Sequence, residues 1–288
     1  MSFVAIVHTA NVITAVKFNA PRLTHVITDQ YGGGVSAVTS LGDDVFVARY
    51  NSQQVEVYDA VTLTLQRRLT VPGLSMGPRG LAACPTNNCL YASGYGENCV
   101  HRVELSGRNA VKKWLVAKGP RGLSVNNEHN LIVASCDANK LKEYTTHGSL
   151  VREICLQAGV RWPVHAIQLS TGDYVISRRT LPGVVLVVRA DGKVVRSWGW
   201  SHTPDVGQMI YPTSLAVTKN DDILVADCGK NKILSTNSSL GSIQELSLSV
   251  DGGIQRPRGL CLDESRGRLY VGEFRGNCRV LVFDDVCF

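Results

Sequence analysis

The chain of 288 residues has no apolar run approaching the 18 or more residues that would cross a membrane as a helix. It also lacks a basic segment around its opening apolar stretch, so Met1 to His8 reads as a strand rather than a secretion signal. No Pro/Gly/Ser-rich or low-complexity linker divides the sequence, and residues 1–288 are expected to form one domain. Apolar stripes of helical period are absent, which argues against helical repeats. Cys-x-x-Cys pairs and clustered histidines are missing, so zinc is not expected, and no metal or cofactor is assigned to the chain. The nine cysteines are odd in number and scattered. Cys84, Cys155 and Cys261 sit in or beside apolar runs, where thiols pack as small hydrophobes; a reducing, cytoplasmic setting follows, with a Cys84–Cys89 bridge left open.

What is present is a unit that occurs six times: Gly33-Gly-Val-Ser-Ala, Gly77-Pro-Arg-Gly-Leu, Gly119-Pro-Arg-Gly-Leu, Trp162-Pro-Val-His-Ala, Tyr211-Pro-Thr-Ser-Leu and Arg256-Pro-Arg-Gly-Leu, spaced 44, 42, 43, 49 and 45 residues apart. A short apolar run follows each, such as Val45-Phe-Val-Ala or Ile223-Leu-Val-Ala, and then Gln53, Asn98, Asn139, Pro182, Asn231 or Asn277. These runs are rich in β-branched and aromatic residues and too short for typical helices, so they read as strands. A third run follows, and most units close on a fourth, as at Leu65-Gln-Arg-Arg-Leu. Four strands in about 44 residues describe a propeller blade. The fold class is therefore all-β: a six-bladed β-propeller with four antiparallel strands per blade. The recurring Gly, Pro and Asn are expected to serve turns and packing, the Gly where the chain enters a crowded inner strand.

The unit beginning at Arg256 supplies only three runs before Phe288. An N-terminal strand is expected to complete it, since a bare edge would invite pairing with other chains. Phe3-Val-Ala-Ile-Val, Val12-Ile-Thr-Ala-Val and His25-Val-Ile-Thr are candidates, with Ile13 to Phe18 favoured.

From Gly33 to Phe288 the arrangement resembles the NHL-repeat β-propellers: the opening Pro-x-Gly-Leu at Pro78, Pro120 and Pro257, the strand Ile223-Leu-Val-Ala-Asp227, and the following Asn231. Only Asp227 keeps the Asp of the family's pattern; Arg49, Gly94, Ser135, Arg178 and Glu273 replace it elsewhere. The resemblance implies a platform for protein or RNA, as in the C-terminal domains of tripartite-motif ubiquitin ligases. Related six-bladed propellers are lactonases or lyases. The chain has no RING, B-box or coiled-coil segment that would carry ligase activity.

Propeller topology puts the loops leading into the inner strands and the loops joining second to third strands on one face. The first set carries Arg79, Arg121 and Arg258; the second carries Arg49, Arg178, Arg179, Lys140, Lys232 and Arg275, with Tyr50, Tyr95 and Phe274 sharing a column. With a net charge of +6, this face reads as a positive rim able to hold phosphates or carboxylates and to anchor an aromatic-contacting partner. A merely solubilising rim is the competing reading, because Glu97, Asp137, Asp227 and Glu273 lie in the same loops. Protein or peptide is the first expectation for the partner. Single-stranded RNA is the alternative, although no RNP, KH or basic-helix motif is present. A metal-dependent hydrolase would need those four carboxylates to converge. A histidine-based lyase would need a base among His101, His165 and His202 held by a second group; His165, in the place of a signature Gly, is expected to be a packing residue.

Overall fold

The computed structural model describes residues 3–9, 12–18, 20–28, 32–107, 109–199, 209–241 and 243–286. Among them are strands and no helix, forming six four-stranded antiparallel sheets and one two-stranded hairpin. Blade 1 consists of Val35–Leu41, Asp44–Arg49, Gln54–Asp59 and Leu65–Thr70. Blade 2 has Leu81–Cys84, Cys89–Gly94, Cys99–Glu104 and Val111–Leu115; blade 3 has Pro120–Val125, Leu131–Ser135, Lys140–Tyr144 and Leu150–Cys155. Blade 4 is built from Pro163–Gln168, Tyr174–Arg178, Val184–Val188 and Val194–Trp198, and blade 5 from Pro212–Val217, Asp222–Asp227, Lys232–Asn237 and Ile243–Glu245. Blade 6 joins Pro257–Asp263, Arg268–Glu273 and Val280–Asp284 to the N-terminal strand Arg22–Ile27. Each inner strand contacts the inner strands of both neighbours, which closes the ring.

The alternation of side chains along each strand explains why the blades stand face to face. In the second strand of blade 1, Phe46 and Ala48 point toward blade 2 and meet Leu90 and Ala92. Val45 and Val47 point the other way and meet Tyr270 and Val280 of blade 6. Both faces of a blade are thus apolar, and every cluster of buried hydrophobic residues lies between two blades rather than within one.

The closing strand is Arg22–Ile27, not the favoured Ile13 to Phe18. Ile27 pairs with Val280, Val26 with Leu281 and His25 with Val282, and Ile27 is buried between blades 6 and 1. Val12–Phe18 instead pairs with Phe3–Thr9 in the separate hairpin. The eight described cysteines are free thiols, Cys84 and Cys89 included, although those two face each other in register on adjacent strands.

Deleting residues 1–18 is therefore expected to leave the cooperative thermal transition in place, whereas deleting residues 1–28 strips blade 6 of its outer strand and should lower Tm sharply or abolish the transition. Calorimetry of the two truncations checks this. A cooperative transition surviving near the full-length Tm in the longer deletion would refute closure by Arg22–Ile27.

Candidate functional site

The site begins with the signature's steric demands. Pro78, Pro120 and Pro257 set the backbone into the inner strands, and the following glycines lie where neighbouring blades crowd. A Cβ on Gly80 would stand 2.2 Å from the Arg121 carbonyl oxygen, and one on Gly122 would stand 2.5 Å from both the Val164 oxygen and the His165 ring. The ladder is irregular here: register shifts fall between Pro120 and Leu123 and between Pro257 and Gly259. Such bulges break the in-and-out alternation and re-aim the intervening side chain. Arg121 and Arg258 are the residues re-aimed; with Arg79 they line the mouth of the central channel, a cavity of about 240 Å³.

The repeated asparagines hold these leading loops. Asn98, Asn139 and Asn231 adopt positive φ, which Asn tolerates better than most residues. Their side-chain oxygens accept the backbone N–H of Gly119, Trp162 and Arg256 in the next blade, each at 2.9 Å. At the first signature position Gly77 and Gly119 have φ of 70° and 71°, but Trp162, Tyr211 and Arg256 hold 61°, 60° and 48°. A non-Gly residue in this region costs about 1–2 kcal/mol, and such strain persists where the surroundings over-determine it.

The acidic candidates do the same work. Glu97 accepts the Ser75 N–H at 2.8 Å, Asp227 the Ile210 N–H at 2.9 Å, and Glu273 the Gln255 N–H at 2.8 Å. Burial raises Asp227 and Glu273 above the ordinary carboxylate range, opposed by these N–H bonds and, for Glu273, by the Arg279 side chain. Asp137 accepts the Tyr95 hydroxyl at 3.1 Å. Each carboxylate thus braces a loop, and no group of three potential metal ligands occurs among the described residues.

The basic residues divide into two groups. Arg49 is 3% exposed: its Nε donates to Glu56 at 3.0 Å and its Nη1 to the Gly33 and Cys278 carbonyls, so it ties blade 1 to blade 6. Lys140 and Lys232 are paired with Glu153 and Glu245 on the outer strands, Arg178 donates to the Thr180 hydroxyl, and Arg275 is exposed on the hairpin of blade 6. Arg79, Arg121, Arg179 and Arg258 differ: none has a carboxylate in ion-pair range among the described residues. Aromatic rings hold them instead. Arg79 lies 4.4 Å from the Tyr50 ring centre, Arg258 4.1 Å from Phe274, Arg121 5.7 Å from Tyr95 and Arg179 5.1 Å from Tyr211. Tyr50 and Phe274 meet edge to face at 5.6 Å, which joins Arg79 and Arg258 through one stack. Tyr211 was not among the site residues expected from sequence; its signal was an aromatic at the first signature position, which half of the six units give to Gly.

The four guanidiniums feel one another. Burial first, then the charges of Arg121, Arg79 and Arg179, pull Arg258 down to about 9, and burial together with Arg179 and Arg79 lowers Arg121. The thiols of Cys136 and Cys228 lie nearby, but burial pushes both up, so they stay neutral and do not offset the charge. Because Arg258 is depressed from the 12.5 of a free guanidinium, the folded state holds its charge at a cost below pH 9. Arg258→Leu keeps a side chain against Phe274 and removes the charge, so it is expected to raise Tm at pH 7 by a few degrees; an unchanged or lower Tm would show that the clustered charge is not a burden.

His165 lies within the channel wall. Its Nε2–H donates to the Leu123 carbonyl at 2.9 Å and its Nδ1 accepts the Leu215 N–H at 3.0 Å, bridging blades 3 and 5 from blade 4. Neither nitrogen is free to act as a base, and burial lowers its affinity for a proton below the ordinary 6.5. A second proton would sit on Nδ1 and displace the Leu215 bond. The contribution is complete above pH 6.5, the unfolded value, and is lost as pH falls through the lower folded value. His165→Gln is expected to cost about 1–2 kcal/mol at pH 7.5, a difference that narrows at pH 5 when both proteins are unfolded in urea. His202 lies outside the described residues.

Comparison with known proteins agrees with this architecture. The NHL repeat family matches residues 255–283, which span most of blade 6. No curated protein matches the chain by sequence. Among solved structures, streptogramin B lyase superposes with a TM-score of 0.63 at 15% identity, covering 90% of this chain and 96% of that one. Hydrazine synthase of Kuenenia stuttgartiensis gives 0.64 at 21%, covering 91% and 79%, and virginiamycin B lyase of Staphylococcus aureus gives 0.64 at 14%, covering 92% and 88%. At these identities the likeness is one of fold. The chain is thus a six-bladed β-propeller, and residues 255–283 of it are similar to the NHL repeat.

Proposed function

We propose that this propeller is a non-enzymatic binding module that takes an anionic group of a protein or peptide partner at the mouth of its channel. The observation that carries the reading is the convergence of Arg79, Arg121, Arg179 and Arg258, stacked on aromatic rings and without carboxylate partners among the described residues. Guanidiniums held in this way present preorganised forks to an incoming carboxylate or phosphate. Beside them, on the loops of blade 4, Trp162 and Leu181 are 51% and 68% exposed, the kind of apolar anchors a polypeptide uses. The carboxylates and His165 are engaged in bracing loops and blades, which weighs against the lyase and hydrolase readings that would use them. RNA is favoured less because Lys140 and Lys232, which would extend a backbone track outward, are paired with outer-strand glutamates. Placement in the cytoplasm belongs to the same proposal and leans on the scattered thiols.

The test is a titration of wild type and the triple variant R79A/R121A/R258A against two probes, a pool of acidic peptides with random flanks and a random single-stranded RNA pool, each at low and high salt. Three charge-assisted contacts worth about 1.5–3 kcal/mol each make the expected loss of peptide affinity on the order of a thousandfold or more, with the fold retained by circular dichroism. Peptide affinity unaffected by the triple substitution would remove this face. RNA binding that dominates at low salt and falls steeply with added salt would transfer the site to RNA.

A further inference from the structure

The arrangement of the four arginines says more than that the ligand is negative. Arg79, Arg121 and Arg258, from blades 2, 3 and 6, line one opening, and Arg179 of blade 4 lies near enough to act on the charges of Arg121 and Arg258, which approach from opposite blades of the ring. Charges drawn from several blades around a channel about 240 Å³ in volume favour a group at the end of a stalk that projects into the mouth. A phosphodiester is flanked by sugars on both sides and cannot centre itself there without driving its neighbours into the walls. A terminal anion can.

Between terminal anions, number and direction of acceptors decide. A carboxylate is planar, carries one charge and is saturated by one or two guanidinium forks. A phosphate monoester carries about −1.5 to −2 near neutral pH and offers three acceptor oxygens in a tetrahedral spread. That spread suits several forks approaching from different azimuths. The forks here have restricted freedom, since each guanidinium lies against an aromatic ring: Arg79 on Tyr50, Arg258 on Phe274, Arg121 on Tyr95 and Arg179 on Tyr211. Arg79 and Arg258 are further coupled through the Tyr50–Phe274 contact, so two of the four donors move together. Among the described residues Arg79 donates weakly to the Met76 sulfur at 3.6 Å and Arg121 lies against the Cys136 thiol, contacts that leave most of the guanidinium N–H groups for a ligand.

We propose that the channel mouth is a receptor for a phosphorylated serine or threonine side chain of a partner polypeptide, with Arg79, Arg121, Arg179 and Arg258 surrounding the phosphoryl oxygens and Trp162 and Leu181 contacting the flanking chain. This rests on the protein-partner reading above and narrows it to one chemistry. The polypeptide source follows from the exposed apolar pair on blade 4, which a free small anion would not use.

The experiment uses the full chain and three peptide pools with random flanks around a fixed central residue, namely phosphoserine, glutamate or serine, with inorganic phosphate as competitor. The phosphoserine pool is expected to bind on the order of tenfold or more tighter than the glutamate pool, as a dianion with three acceptors should against a monoanion with two. The serine pool should not bind. Inorganic phosphate should compete only at millimolar concentration. The pair variant R121Q/R258Q should lose the phosphoserine preference while its Tm stays at or above that of wild type, which separates a lost ligand site from a lost fold. Equal binding of the phosphoserine and glutamate pools would overturn the phosphate assignment and leave the broader anionic-partner reading standing. Absence of binding by both anionic pools would sink the two readings together. Phosphate competing as strongly as the phosphoserine pool would make the site one for a small free anion and overturn the polypeptide assignment, and a phosphoserine preference retained by R121Q/R258Q would move the site away from this mouth.

Discussion

The structure depends on one constraint: no blade owns a core. Each second strand is apolar on both faces, so a blade alone would expose two oily surfaces, and only neighbours on both sides can cover them. The ring must therefore close, and closing it brings six inner strands close together around an axis. There the side chains shrink and backbone meets backbone. Hydroxyls stitch each pair of blades at this radius: Ser36 donates to the Pro78 carbonyl at 2.6 Å, Ser93 to Arg121 at 2.7 Å and Ser124 to Ala166 at 2.7 Å. Ser177 donates to Thr213 at 2.6 Å and Thr213 to Pro257 at 3.2 Å, while Ser40 and Cys261 join blades 1 and 6 at 3.4 Å. His165 spans two such seams at once. These hydroxyls are satisfied across blades, and so they specify which blade adjoins which.

The same crowding produces the site. Glycine at positions 80, 122 and 259 lets the strands approach, and the residue before it cannot turn inward between them. It turns to the mouth, and where it is arginine the mouth becomes positive. Repetition places the same kind of residue at equal radius around an axis, which is how charges far apart in sequence come to repel one another in space. A flexible surface would relax that repulsion by letting the side chains separate. Here the rings of Tyr50, Tyr95, Tyr211 and Phe274 restrain the guanidiniums, and the asparagine and carboxylate braces restrain the loops beneath them.

The fold was legible because its signals were periodic. Signature, apolar run and Asn recur at fixed offsets, and the strands fall where those runs lie. The closing strand was not legible in the same way: Val12–Phe18 and Arg22–Ile27 are both short and β-prone, and only pairing with Val280–Asp284 separates them. The site was half visible. Arg79, Arg121 and Arg258 stood out by sharing one position, whereas Arg49 looked equivalent to Arg178 and Arg179 until its burial against Glu56 removed it from the rim. Glu97, Asp227 and Glu273 resembled candidate ligands because sequence shows a carboxylate and its loop but not the backbone N–H it accepts. Tyr211 was hidden because its partner, Arg179, lies in a different unit's column.

The asymmetry of the mouth completes the argument from repeat to recognition. A perfectly repeated propeller would carry six arginines, a ring whose mutual repulsion would fight closure of the very strands that present it. This chain carries arginine at that position in blades 2, 3 and 6, with Val35, Val164 and Thr213 in the others. Blade 4 contributes Arg179 from its second loop instead, leaving its leading loop to Trp162, an exposed aromatic held at positive φ. Beside the charged mouth, blade 4 consequently offers apolar surface. A symmetric ion would use only the first, while a chain bearing an anionic side chain uses both, and departure from the repeat at blade 4 is what gives the face a direction in which to lay that chain.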